Sequence, residues 1–357
     1  MKKMLSLLIA SCMALSMAAC GGGSGTSTAS TSTATGASSG STPASTASQA
    51  STGEKTKVVV GYMPNYGSLA EVESALHEGY FDEQGLDVEL MEFADGPTII
   101  AAMESGSVQV GYIGSGAHKL AIQGQAKIFC MAHVGNADAV VTDASKGIET
   151  IEDLKGKTVG YSSGTSSEQI LKYALEAHGM TMDDIKAQEM DASALVTAML
   201  SGSLDACAAW SPMTFTIQEQ LGDNYKVLAD NMMFSDQSAA VSSWIVTPKY
   251  AEENADTILA FTKALMKAKD FRADEANYEQ IAQWVADQTK TDYETCYQQR
   301  GDADWQTSAE LIESINDGSM EKMYKVQQDD FLKNGQIEAE VPVSDYVMFD
   351  NMLAAAE

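Results

Sequence analysis

The chain has 357 residues, with 22 Lys and Arg against 50 Asp and Glu and a formal net charge of −28. This length suggests two domains, and 45% hydrophobic residues allow a sizeable core. The acidity argues against nucleic acid and anionic membrane surfaces as partners, because both are bound through basic faces. Arg272 and Arg300 are the only arginines, so an anion site would depend mainly on Lys, hydroxyl or backbone N–H groups.

Residues 1–19 are predicted to be a signal peptide. Lys2 and Lys3 precede an apolar run that is shorter than the ~20 residues of a membrane-spanning helix. The run ends in Met17-Ala18-Ala19-Cys20, which resembles the lipobox of bacterial lipoproteins. The resemblance implies lipidation of Cys20, and an ordinary secretory signal is the alternative.

Residues 20–56 are predicted to form a lipidated, disordered tether. Between residues 21 and 53 the chain is almost entirely Gly, Ser, Thr and Ala, which cannot bury enough apolar surface to offset the entropy of ordering. The expected location is therefore extracytoplasmic, at the cell membrane, with the lipid as anchor. Three isolated cysteines follow the tether, Cys130, Cys207 and Cys296, and they predict neither a disulfide framework nor a metal site.

The body of the chain contains an internal repeat. Val59-Val60-Gly61-Tyr62 is echoed 99 residues later by Thr158-Val159-Gly160-Tyr161, and residues 101–107 are echoed 96 residues later by residues 197–203. Matches in the same order and at nearly the same spacing indicate two similar supersecondary units.

Each unit is predicted to alternate strands and helices. Short β-branched runs and apolar residues at helical spacing predict the order strand, helix, strand, short helix, strand in both units. This order is typical of an α/β fold with a mostly parallel sheet in each of two lobes and a cleft between them. The predicted strands cover residues 57–62, 87–93 and 108–113 in the first unit, and 157–161, 185–190 and 204–210 in the second.

The lobes are expected to be discontinuous in the sequence. Residues 57–133 would form the first part of lobe 1, and residues 134–245 would form lobe 2. From residue 246 to 357 the chain is mainly helical, with stripes such as Ile258, Phe261 and Leu265 that favour packing against lobe 1.

The loops after the strands are the predicted ligand contacts, because ligands of open α/β sheets lie beyond the carboxyl ends of the strands. Gly114-Ser115-Gly116-Ala117 and residues 162–167 are small, polar and at helix N-termini, where N–H groups and the helix dipole favour negative charge. Plain helix capping is the alternative for both loops. His133 lies in a further loop of this kind, residues 133–137, and could donate to a ligand.

Aromatic residues accompany these loops. Trp210 precedes Pro212 at a strand end and is expected to line the cleft, whereas Trp244 fits a cleft wall and the core equally well. Asp302 and Asp304 lack the further ligands of a calcium loop, so a solvated turn is expected there. The sequence contains no recognisable catalytic motif, which predicts a protein that is not an enzyme and needs no cofactor or metal.

Several segments in combination resemble one known family. The run from Glu78-Gly79-Tyr80-Phe81 to Leu86-Asp87-Val88, the run Leu154-Lys155-Gly156-Lys157, and Trp210-Ser211-Pro212 are similar to the sulfonate-, taurine- and nitrate-binding family of ABC-transporter substrate-binding proteins. The likeness extends over about residues 57–270. It implies a two-lobed periplasmic-binding-protein type II fold, and a monomer that passes a small anionic or zwitterionic solute to a membrane permease with its ATPase subunit.

The resemblance also implies binding residues. Together with His133 and Trp244, the candidate ligand contacts are Asn65, Tyr66, Ser115, Gly116, Ala117, Gly164, Thr165, Ser166 and Trp210. Two alternatives stay open: an exported enzyme on the same fold that acts on a small metabolite, and an adhesive or structural surface lipoprotein.

Overall fold

The computed structural model describes residues 54–234 and 240–357. The predicted signal peptide, Cys20 and nearly all of the predicted tether lie outside the described residues. Among the helices of the described part, none has the length and apolarity to cross a membrane.

Eleven strands and fourteen α-helices make up the described part. The strands are β1 (Thr56–Tyr62), β2 (Leu86–Glu92), β3 (Val110–Ile113), β4 (Lys127–Gly135), β5 (Ala139–Asp143), β6 (Thr158–Tyr161), β7 (Lys186–Glu189), β8 (Ala206–Ala209), β9 (Tyr225–Asp230), β10 (Val241–Val246) and β11 (Ala303–Asp304). The helices are α1 (Tyr66–His77), α2 (Tyr80–Glu83), α3 (Gly96–Glu104), α4 (His118–Ile122), α5 (Ser166–Ala177), α6 (Ala192–Leu200), α7 (Met213–Leu221), α8 (Pro248–Glu253), α9 (Ala255–Ala273), α10 (Tyr278–Thr289), α11 (Tyr293–Gln298), α12 (Ser308–Asn316), α13 (Ser319–Lys333) and α14 (Phe349–Ala355).

The strands form two sheets, which define the two lobes. Lobe 1 contains a six-stranded sheet of order β11-β4-β10-β3-β1-β2, and lobe 2 a five-stranded sheet of order β7-β6-β8-β5-β9. The expected parallel pairing occurs where β1 joins β2 and β3, and where β6 joins β7 and β8. Antiparallel ladders complete both sheets, through β10 and β11 in lobe 1 and β5 in lobe 2, so the sheets are mixed rather than mostly parallel.

Each copy of the internal repeat forms three neighbouring strands, which have the same order in both sheets. The order β2-β1-β3 in lobe 1 matches β7-β6-β8 in lobe 2. Gly61 and Gly160 hold equivalent places in β1 and β6, where side chains crowd the strand. A β-carbon at Gly160 would lie 2.4 Å from Leu204 Cδ1, and one at Gly61 3.0 Å from Ile99 Cγ2. The shared glycines therefore allow close packing against the strand in both units.

The chain returns to lobe 1 earlier than the sequence indicates. Residues 241–246 pair with β3 and β4, although the predicted boundary of lobe 2 lies at residue 245. The helices that follow complete lobe 1, since Ile258, Phe261 and Leu265 of α9 belong to the same buried core as Val60 and Val110. Cys130, Cys207 and Cys296 are buried free thiols.

Candidate functional site

A cavity lies between the two lobes, beyond the ends of several strands. Its empty space is about 540 Å³ with the open solvent at its mouth included. Lobe 1 contributes the loops after β1 and β3, the end of β4 and residues 299–305. Lobe 2 contributes the start of α5 and the turn after β8.

The structure brings five of the eleven predicted contact residues to the cavity wall: Asn65, Ser115, His133, Ser166 and Trp210. The other six, Tyr66, Gly116, Ala117, Gly164, Thr165 and Trp244, do not line it. Among these, Trp244 is fully buried, and its indole N–H donates to Glu71 Oε2 at 3.0 Å. Of its two possible positions, Trp244 occupies the core.

The loop at residues 162–167 uses its donors within the protein. The Ser162 N–H donates to Ser167 Oγ at 3.0 Å, and the Gly164 N–H donates to Glu168 Oε2 at 2.7 Å. Thr165 caps α5, accepting the Ser167 N–H at 3.2 Å. Because the Glu168 carboxylate already interacts with the start of the helix, this loop matches the capping alternative better than an anion cradle.

The two lobes touch beside the cavity. A β-carbon at Gly116 would lie 2.1 Å from the carbonyl carbon of Thr165, so only glycine allows this approach. The Ser115 hydroxyl donates to Gln169 Oε1 at 2.7 Å, and Lys119 Nζ lies 3.6 Å from Glu168. These contacts join the strand-end loop of lobe 1 to α5 of lobe 2, as in a closed clamp.

His133 is buried in the cavity wall and lacks one partner. Its Nε2 lies 3.2 Å from the Tyr112 hydroxyl, whereas Nδ1 has no hydrogen-bond partner. Burial, together with the positive charges of Lys269 and Arg272, lowers the pKa of His133 to about 3. The imidazole is therefore neutral at physiological pH.

Two carboxyl groups, which the sequence did not single out as ligand contacts, also line the cavity. Asp138 is 7% exposed, and its Oδ1 has no hydrogen-bond partner. Asp302, expected in a solvated turn, lies instead in the wall. Burial raises the pKa of Asp138 to about 6, and burial with the nearby Asp138 charge raises the pKa of Asp302 to about 7.

Strand pairing fixes Asp302 next to the end of β4. The Asn136 N–H donates to the Asp302 carbonyl oxygen at 2.7 Å, and Ala303 pairs with Gly135. Trp305, two residues after Ala303, donates its indole N–H to the Arg300 carbonyl at 2.6 Å and packs against the His133 ring. Residues 299–305 therefore form a fixed part of the wall.

No Lys or Arg lines the cavity among residues 54–234 and 240–357. The Arg272 guanidinium lies against the Trp305 ring, 4.8 Å from its centroid, and its NH2 group donates to the Gln306 carbonyl. Within the same described ranges, no cluster of three or more His, Cys, Asp or Glu side chains could hold a metal ion. The charged groups of the wall are the two carboxyls.

Comparison with solved structures identifies the fold. The alkanesulfonate-binding protein SsuA from Xanthomonas axonopodis pv. citri, bound to MOPS, has a TM-score of 0.64 at 18% identity, covering 83% of this chain and 99% of that chain. The fold is thus the two-lobed fold of the periplasmic binding proteins, as the sequence resemblance implies.

Sequence comparison then gives the family. The chain belongs to the NMT1/THI5-like family, whose sequence model matches residues 69–276. A putative binding protein of Brucella abortus (strain 2308) is 32% identical over 297 residues, which cover 83% of this chain and 92% of that protein. The taurine-binding periplasmic protein of Escherichia coli (strain K12) is 27% identical over 191 residues, 52% of this chain and 58% of that protein. Both relatives are named as binding proteins.

Proposed function

We propose that the protein is the lipid-anchored solute receptor of an ABC importer. It captures a small solute in the cavity between the lobes and passes it to a membrane permease with an ATPase subunit. The observation that carries this proposal is the pair of buried, unpartnered polar atoms in the wall, His133 Nδ1 and Asp138 Oδ1. Buried polar groups are almost always hydrogen-bonded in folded proteins, so a ligand that bonds both atoms completes the site.

The anchor and the moving parts belong to the same proposal. Lipidation of Cys20 and the long Gly/Ser/Thr tether would hold a monomeric body near its permease. Lobe 1 and lobe 2 would move relative to each other, which opens and closes the cavity. The contact of Gly116 with Thr165 supports a closed form, in which the solute is enclosed.

Among the solutes suggested by the relatives, the cavity favours a zwitterion over a simple anion. Taurine carries an ammonium group as well as a sulfonate, whereas nitrate and unsubstituted alkanesulfonates carry only negative charge. Asp138 and Asp302 line the cavity without a lining Lys or Arg among the described residues, so a purely anionic solute would meet like charge.

Thermal unfolding of the purified chain against taurine, alkanesulfonates, nitrate, amino acids and aromatic amines tests this function. A solute at 100 times its Kd stabilises the folded state by about 2.7 kcal/mol, which shifts the melting temperature by a few degrees. The substitution Ser115→Phe, which fills the cavity, should abolish the shift, while Ser107→Phe on the exposed surface should preserve it. A shift that survives Ser115→Phe would place binding elsewhere and overturn the proposal.

An enzyme on the same fold is the second candidate, and one observation favours it. Two carboxyls with pKa values raised to about 6 and 7 form a pair suited to proton transfer near neutral pH. Mass spectrometry of the bound solute after prolonged incubation separates the two functions. An unchanged solute supports a receptor, and a chemically altered solute supports an enzyme.

A further inference from the structure

We propose that Asp138 and Asp302 form a recognition site for a protonated amine or amidine. In this view the cavity selects a solute with a cationic N–H group and rejects solutes whose only charge is negative. The inference rests on the proposed function, since it names the class of solute that the same cavity takes. It is carried by the position of the two carboxyls, by the unpartnered oxygen of Asp138, and by the charges around them.

Both carboxyls are held in place by the backbone. Asp138 immediately precedes β5, and its N–H donates to Asn231 Oδ1 at 2.7 Å. Asp302 is held against the end of β4 by the hydrogen bond from Asn136 and by the pairing of Ala303 with Gly135. Because these supports belong to strands and their immediate ends, the pair is organised before a solute arrives, which reduces the entropic cost of binding.

The negative charge of the pair has no counter-charge in the wall. Lys269 and Arg272, the buried cations behind His133 and Trp305, share the carboxylate of Glu71, at 2.7 and 3.7 Å. Lys269 Nζ also donates to the Ala132 carbonyl at 2.7 Å. These cations are therefore engaged within lobe 1, whereas Asp138 Oδ1 is buried and unbonded.

A cationic N–H group provides both a hydrogen-bond donor and a positive charge, which this site lacks. It supplies donors to the unpartnered oxygen, and it supplies the positive charge that two neighbouring carboxylates lack. Burial raises the pKa of Asp138 to about 6, and burial with the nearby Asp138 charge raises the pKa of Asp302 to about 7, so part of the pair is protonated in the empty protein near pH 6.5. A bound cation favours the ionised forms, and binding near this pH should release protons to the solvent.

The remaining wall residues indicate which groups the solute carries besides the amine. The Tyr112 hydroxyl and His133 Nε2 lie 3.2 Å apart, and either group can donate. Since Nδ1 is buried without a partner, a polar group of the solute completes it, as an acceptor when the imidazole proton is on Nδ1 and as a donor when it is on Nε2. Trp210 and Trp305 provide apolar walls. The solute class is a small amine or amidine that also carries a second polar group.

Titration calorimetry on the purified full chain tests the inference with pairs of probes that differ only in the amine. Taurine is compared with ethanesulfonate, and 3-aminopropanesulfonate with propanesulfonate; nitrate is a further anionic reference. We expect at least one amine to bind, and the anions without an amine to bind at least tenfold more weakly. At pH 6.5, heats measured in two buffers of different ionisation enthalpy should show proton release on amine binding.

Two variants test whether the carboxyls cause the preference for amines and the proton release. Asp138→Asn and Asp302→Asn should each weaken amine binding at least tenfold and reduce the proton release, and neither should weaken the anions. The matched control is Asp304→Asn, an exposed carboxylate two residues away. If a variant fails to fold, as judged by its melting curve, the wild-type proton release and the probe pairs still decide the question.

The results that would overturn this inference alone differ from those that would also overturn the receptor function. Binding of ethanesulfonate or nitrate at least as tight as that of the amines overturns the inference and leaves the receptor function standing. Binding of none of the probes, with no shift in the thermal panel, overturns both. Equal losses in Asp302→Asn and Asp304→Asn would show that the effect does not come from the pair, and would also overturn the inference.

Discussion

Gly116 of lobe 1 lies against the main chain of Thr165 of lobe 2, so that a β-carbon at residue 116 would lie 2.1 Å from the Thr165 carbonyl carbon. Real β-carbons are not found so close to other atoms, and neither backbone can move aside without moving its lobe. A side chain larger than hydrogen at residue 116 would therefore hold the two lobes further apart.

We expect Gly116→Ala to prevent full closure. The residue has no left-handed φ, so alanine fits the local backbone, and the folded state should keep nearly its full stability. Affinity for the solute should fall at least tenfold, and X-ray scattering should show a larger radius of gyration with solute present. Ser107→Ala is the control, because Ser107 is exposed and does not line the cavity. Equal affinities in the two variants would contradict the prediction.

Ser115→Ala should weaken the closed form without blocking it. The substitution removes a buried hydrogen bond of 2.7 Å across the cleft and leaves Gln169 Oε1 unpaired. Such a loss costs about 1–2 kcal/mol, which corresponds to roughly a 5- to 30-fold weaker affinity. Calorimetry against wild type measures it, with Ser107→Ala on the surface as the comparison. A variant that binds as tightly as wild type would argue that the bond is absent from the bound form.

Glu71→Gln should strongly destabilise lobe 1. Glu71 is 2% exposed, and its carboxylate faces Lys269 at 2.7 Å and Arg272 at 3.7 Å. Neutralising it leaves two buried cations without a counter-charge, which typically costs about 3–5 kcal/mol. Denaturant unfolding gives the change in the free energy of unfolding. Glu83→Gln removes an exposed pair with Lys267 and should cost less than about 1 kcal/mol.

Glu73 should make stability depend on pH. Burial, with a contribution from Asp287, raises the pKa of Glu73 to about 7. Between pH 4.5 and 7 the folded state therefore binds more protons at this site than the unfolded state, so the site lowers stability as pH rises. Glu73→Gln should raise the free energy of unfolding by about 1–3 kcal/mol at pH 8 and by much less at pH 5.

The control for this site is Glu78→Gln, because Glu78 is exposed. Unfolding curves at both pH values should show the same small change for that variant. A Glu73→Gln effect of equal size at pH 5 and pH 8 would mean that Glu73 is ionised in the fold throughout this range.

The sequence predicts the repeated units well, because their signals are local. The β-branched run at residues 57–62 becomes β1, and the matching run at 157–161 becomes β6 with a shift of one residue. Gly79 and Gly179 follow the ends of α1 and α5 and adopt the left-handed conformation that glycine allows at such ends. Each of these signals depends on neighbours a few residues away.

The cavity wall is predicted only in part, because half of it depends on distant pairing. Asp302 and Trp305 reach the wall through β11, a two-residue strand bonded to the end of β4, and no local pattern signals such a short pairing. Asp138 follows the predicted loop at residues 133–137 by one position, and its role comes from burial. By its sequence context Trp244 fits a cleft wall and the core equally well, and its hydrogen bond to Glu71 shows that it lies in the core.

The repeated sheets frame the cavity with unequal loops. After β3 the chain reads Gly114-Ser115-Gly116, and after the equivalent β8 it reads Trp210-Ser211-Pro212. One half of a near-symmetric frame thus offers bare backbone, and the other offers a large aromatic ring and a rigid proline. A solute that fits this pair of surfaces meets a different surface on each side, so the two tripeptides give the cavity a direction that the repeated strands alone do not provide.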